Sequence, residues 1–191
     1  MEKLGKRLTQ YLISKKAIDI NDYEVYKYGM ITGIEYMICF GITLALSVFL
    51  DAIGEYIIFM LTFYCLRSYV GGIHFRNFGI CCTMSCSIIT LVLVVSKFAF
   101  LSTAIYFFAI MLNLFLIAVF SSTVFRKIEL EDSEKVFYQK QLKKIFIGLL
   151  ILSVIFLMMN LKEFIAVLMY ETFIVLISLL LDITLRMKKR R

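Results

Sequence analysis

Long apolar runs alternate with short polar breaks along this chain, and the length of the runs decides how they are read. Residues 30–50, 79–97, 103–120, 145–159 and 164–185 are almost wholly apolar. At 1.5 Å per residue such helices cross, or nearly cross, a hydrocarbon core about 30 Å thick. A further run, 55–66, reaches spanning length when it continues to Val70 and lets Arg67 snorkel to the headgroups. Six transmembrane helices are expected. Ahead of them, Leu4, Leu8, Tyr11 and Leu12 recur at helical spacing while Lys3, Lys6, Arg7 and Gln10 take the other faces, the pattern of an amphipathic helix lying in the interface. Asn21 with Glu24 three residues later has the form of a capping box. It starts a helix near Asp22 that carries Tyr23, Tyr26 and Tyr28 through the interface.

The breaks are Asp51 to Gly54, Leu101 and Ser102, Lys162 and Glu163, and one longer segment, 121–144. That segment holds Arg126, Lys127, Glu129, Glu131, Asp132, Glu134, Lys135, Lys140, Lys143 and Lys144, too many charges for hydrocarbon, and is expected as the main loop. The fold class is therefore all-α: a polytopic integral membrane protein in a single domain over 1–191, with 1–28 interfacial and 121–144 a cytoplasmic loop. No Gly/Ser-rich linker, internal repeat or low-complexity stretch divides it.

Composition sharpens this picture. The chain is 61% hydrophobic, above the roughly 45–50% of soluble domains, and contains no proline, so the helices are expected to be unkinked and the turns to fall to glycine. Residues 1–28 are charged and polar and lack the apolar core of a cleavable signal peptide. The net charge of +7 is distributed in a way that orients the chain. The N-terminal segment, the 67–76 connection, the central loop and the C-terminal tail are basic, while the breaks at Asp51, Leu101 and Lys162 carry little positive charge. Six spans place all the basic segments on the cytoplasmic side, where lysine and arginine accumulate. The charge is thus topology and attraction to lipid headgroups, and nucleic acid is not an expected partner.

Five cysteines, Cys39, Cys65, Cys81, Cys82 and Cys86, fall in or beside apolar runs. Their odd number and irregular spacing make a poor disulfide framework, so free thiols are expected. One histidine beside Cys81, Cys82 and Cys86 is too few ordered ligands for a zinc site, and no metal or cofactor is expected.

The chemistry concentrates in residues 67–81, which neither a span nor a solvated loop accounts for. This stretch holds the single histidine, His74, the adjacent glycines Gly71 and Gly72, Arg67, Arg76 and, at the start of the third span, Cys81. The first turn of a helix presents unpaired N–H groups and the positive end of the dipole, which favour a thiolate. A general base must then lie within hydrogen-bond reach. In a straight helix seven residues cover about 10.5 Å, so the chain has to fold back between His74 and Cys81, and Asn77 and Gly79 can take the backbone conformations a turn near them requires. The plainer alternative is a histidine as polar trim at an interface and cysteines as small hydrophobes.

Arg67, Gly72, His74, Cys81 and Ser85 in this arrangement resemble the signature of the accessory gene regulator B (AgrB) family, bacterial membrane peptidases that process quorum-sensing propeptides. The resemblance implies His74 as base and Cys81 as nucleophile, with Cys82 and Cys86 as bystanders. Size, several spans and a charged central segment agree with it, while Phe75 departs from the small alanine the family often carries after the histidine. It further implies a membrane-embedded cysteine endopeptidase whose substrate is a small AgrD-like propeptide with an amphipathic segment and an acidic tail. Cleavage would pass through a Cys81 thioester, and transfer to a substrate thiol would give a cyclic thiolactone, or to a serine a lactone. The expected location is the bacterial cell membrane, with the site and both termini facing the cytoplasm and a homodimer as one arrangement.

Arg67, Gly71, Gly72 and Ser85 are supporting or substrate-positioning candidates, with an interfacial anchor the equal alternative for Arg67. Glu35 and Glu171, charged residues inside spans, are candidates for a functional role or for pairing within the bundle. A small-molecule or peptide transporter is the rival reading, because charged residues in spans also suit that class.

Overall fold

In the computed structural model the apolar runs are helices and the polar breaks their ends, and residues 2–15, 17–19, 22–70, 78–127 and 132–189 are described. Among the described residues there are seven helices and no strand: α1 (Glu2–Ser14), α2 (Tyr23–Phe49), α3 (Ile53–Val70), α4 (Phe78–Lys97), α5 (Thr103–Lys127), α6 (Asp132–Met158) and α7 (Lys162–Lys189). The protein is all-α. Five of the helices, α2, α4, α5, α6 and α7, are long and apolar enough to cross a membrane.

Helix α3, expected as a further crossing, is shorter, carries Glu55 and Arg67 in its end turns and is not one of these five. Its direction follows from its neighbours. Lys97, the last residue of α4, donates to the carbonyl of Leu50, which caps the C-terminus of α2. Those two helices therefore end side by side and run the same way, so α3 has to return between them. The cross-links to α7 agree. Gly54 lies against Phe164, Thr62 donates to Glu171, and Arg67 donates to Ser178, so α3 and α7 run in parallel. Thr103 meets Asn160, which sets the start of α5 at that end as well. Six alternating helices result, with the ends of α3, α5 and α7 and the starts of α2, α4 and α6 at one face.

The centre of the bundle is α7. Half of its spanning window is buried within the protein, against 11% for α2, so α7 is the post on which the others pack. One cluster joins α3, α5, α6 and α7 through residues such as Leu66, Ile110, Leu149 and Leu168. A second joins α3, α4 and α7 through Tyr56, Phe59, Leu93 and Val167. Several hydroxyls within the spans bond back to their own helix, as Thr43 does to the Cys39 carbonyl and Ser153 to that of Leu150.

Three expectations need correction. First, residues 121–127 and 132–144 are helical, where loop was expected. Helix α5 continues to Lys127 and α6 begins at Asp132, because charge excludes a segment from hydrocarbon without unfolding a helix, and Glu, Lys, Arg and Gln are good helix formers. Second, glycine does not make the turns at the far face. Asp51 (φ 50°) and Asn160 (φ 54°) hold the left-handed conformation there. The amides of Ala52 and Leu161 bond five residues back to Ser47 and Phe156, the Schellman ending that asparagine and, less often, aspartate can form in place of glycine. Third, Gly79 is helical, since α4 begins at Phe78. The amphipathic α1 packs on α2 where Gly5 faces Ile31 and Thr9 is wholly buried, bonding back to the Gly5 carbonyl.

Candidate functional site

Cys81 is the fourth residue of α4, partly buried, with a free thiol. Its depth can be read from the helix rise. Lys97 marks the far face, and sixteen residues at 1.5 Å put Cys81 about 24 Å from it, near the opposite boundary of a 30 Å core. By the same measure Arg67 on α3 lies about 21 Å from its own helix start at the far face, so both candidates occupy the face where α3 ends and α4 begins. His74, Gly71, Gly72 and Asn77 lie outside the described residues.

The setting of Cys81 favours an anion. It sits in the first turn of a twenty-residue helix, where the amides have no carbonyl partner within the helix and the dipole is positive. Ser85 follows one turn later on the same face and is likewise partly buried. Thr83 uses its hydroxyl on the Gly79 carbonyl at 2.8 Å, an i to i−4 bond that turns it away from chemistry.

Arg67 is held by the bundle. Its Nη1 donates to Ser178 Oγ on α7 at 3.0 Å, and its guanidinium lies 5.8 Å from the centre of the Phe63 ring, a cation–π distance. An arginine fixed in this way ties the end of α3 to α7 at the point where the chain leaves for residues 71–77. Its charge thereby stays at the site's edge.

Of the two carboxylates, Glu171 is wholly buried at the centre of the bundle and accepts a hydrogen bond from Thr62. It lies nine residues into α7, about 13 Å from the far face, against about 24 Å for Cys81. That separation makes Glu171 a packing partner of α3. Glu35 on α2 is partly buried. Nearby in depth to Glu171, Asn113 on α5 donates to Thr172 at 3.1 Å, a second polar tie on α7.

One grouping was invisible in the linear motif. Cys39 on α2 joins Cys82 and Cys86 on α4, with the three sulfur atoms all within 4.8 Å of one another. Cys39 precedes the end residue Leu50 by the same eleven residues by which Cys86 precedes Lys97. Between parallel helices that end together this equal count is a signal of common depth, but it carries meaning only once the pairing of α2 with α4 is known.

Compared with known proteins, the chain matches the family described as accessory gene regulator B over residues 5–184. No curated protein and no solved structure matches it.

Proposed function

The chain belongs to the accessory gene regulator B family, the match running over nearly its whole length, and from that premise we propose that it is a membrane-embedded cysteine endopeptidase acting through Cys81. Membership gives it a role in processing a quorum-sensing peptide, and its helices make it a membrane protein. The observation that carries the finer reading is the position of Cys81 in the first turn of α4, at the basic face of the bundle, seven residues after His74.

The reaction divides between these two residues. His74 takes the thiol proton as the sulfur attacks the carbonyl carbon of the scissile bond. The amide carbon–nitrogen bond breaks, and the departing amine takes that proton from His74. The N-terminal part of the propeptide is then held on Cys81 as a thioester. A substrate thiol displaces Cys81, one thioester replacing another at little energetic cost, and closes a thiolactone. A substrate hydroxyl closes a lactone instead. Amide N–H groups at the start of α4 favour the thiolate, and Arg67, tied to Ser178, braces the end of α3 beside the site. Each described span is an unbroken helix, whereas transporters of the rival class build their sites on interrupted ones, so peptide processing is the better reading.

The substrate is a propeptide whose amphipathic part rests on the bilayer and whose acidic tail is drawn to Arg126, Lys127 and Lys140. The test is co-expression with the small open reading frame next to the gene, with peptide products read by mass spectrometry. Cys81→Ala and His74→Ala are each expected to lower product at least about a thousand-fold. Charge reversal at Arg126, Lys127 and Lys140 lowers it several-fold and is partly restored by basic substitutions in the tail. Product undiminished in Cys81→Ala, in protein shown to be inserted normally, would refute the mechanism.

A further inference from the structure

Cys39, Cys82 and Cys86 form, among the described residues, the one group of three or more metal-ligating side chains whose donor atoms converge. Cys82 and Cys86, one turn apart on α4, bring their sulfurs to 3.9 Å. Cys39 enters from α2. All three are partly buried and free.

The spacing has a chemical meaning. With a metal–sulfur bond of about 2.3 Å, three sulfurs around one ion in a trigonal plane stand about 4.0 Å apart, close to the distance Cys82 and Cys86 already keep. The remaining separations are within 4.8 Å. Depth matters as well. Cys39 and Cys86, eleven residues from the far face, stand about 16 Å from it, near the middle of the hydrocarbon core, and Cys82 stands one turn nearer the boundary that holds Cys81.

We propose that Cys39, Cys82 and Cys86 form a binding site for a soft monovalent metal ion, Cu(I) being the ion whose chemistry they fit. Thiolate donors select soft ions. The cluster contains no carboxylate and no imidazole, so hard ions have nothing to bind. The choice of ion follows from the number of ligands. A zinc ion needs a fourth ligand for its tetrahedral preference, and the cluster supplies three in all. The thiolate is the form that binds, so binding Cu(I) releases the thiol protons of its ligands. Cys81, although adjacent to Cys82 in the chain, is outside the cluster, so the site is separate from the proposed nucleophile.

The full chain in lipid nanodiscs, kept reduced with ascorbate, is titrated with Cu(I) supplied as its bicinchoninate complex, whose visible absorbance falls as the ion is withdrawn. One ion per chain is expected for the wild type and for Cys65→Ser, which lies outside the cluster. Cys39→Ser and Cys86→Ser, near-isosteric changes on two different helices, are expected to bind at least about tenfold more weakly, a loss seen even when a group behind the ligands is removed. X-ray absorption of the loaded wild type is expected to show three sulfur neighbours, a reading that holds whether or not a variant assembles. Retention of full affinity by Cys39→Ser, a stoichiometric preference for Zn(II), or nitrogen and oxygen neighbours around the copper would each overturn the assignment.

Discussion

Single residues in this bundle are used according to depth. Cys81 stands at the boundary, where a helix start favours an anion, whereas Glu171 stands at mid-depth, where Thr62 donates to one carboxyl oxygen and the other has no partner among the described residues. The two therefore respond differently to substitution. Glu171→Gln keeps an acceptor for Thr62 and the same volume, so peptide processing should stay within about twofold of wild type. Glu171→Ala empties a wholly buried position between α3 and α7, and should lower stability by about 2–3 kcal/mol, seen as a fall in the melting temperature of the solubilised protein. A processing loss in Glu171→Gln without loss of stability would assign this carboxyl a part in the chemistry.

Helices pair here through core clusters, polar ties and one extensive post, α7. Helix α1 approaches α2 closely at Gly5. A Cβ added to Gly5 would come within 2.4 Å of Ile31 Cγ1, and a branched side chain needs more room still. Gly5→Val should release α1, measured as faster amide hydrogen exchange over residues 2–14 with α5 and α7 unchanged. Unchanged protection of α1 would mean that its hold on α2 does not depend on that contact. The pattern of apolar runs made the spans legible, and their observed limits differ little from it on the far face. At the basic face it did not show that 121–127 and 132–144 are helical, because hydropathy reports where a segment can dissolve while helix propensity decides whether it coils, and the charged residues there favour both water and helix. The turns at Asp51 and Asn160 were misassigned to glycine since two other residues can adopt the same backbone. Cys81 was legible as a first-turn thiol, while its pairing with His74 came from the family resemblance and His74 lies outside the described residues. The Cys39 group was not legible, because it depends on which helices lie side by side.

At the scale of the whole molecule, the basic segments gather at one face and the turns near Asp51, Phe98 to Ser102 and Asn160 at the other. Lysine and arginine asymmetry predicts that the basic face, with Cys81, lies on the cytoplasmic side. A membrane-impermeant maleimide applied to intact cells should therefore label Phe100→Cys, at an exposed position in the far turn, and should reach Asp132→Cys only after permeabilisation. The reverse pattern would invert the molecule and put Cys81 at the external face. The central claim, that Cys81 carries the peptide as a thioester, is tested most directly by catching that species. Reduced protein in nanodiscs is mixed with a propeptide lacking the internal thiol or hydroxyl acceptor, quenched in acid, digested and analysed by mass spectrometry. The account predicts the N-terminal part of the propeptide attached to the peptide containing Cys81, removable by hydroxylamine and missing in Cys81→Ala. Cleavage of that propeptide at the wild-type rate with Cys81 unmodified throughout, or an adduct on another residue, would contradict it.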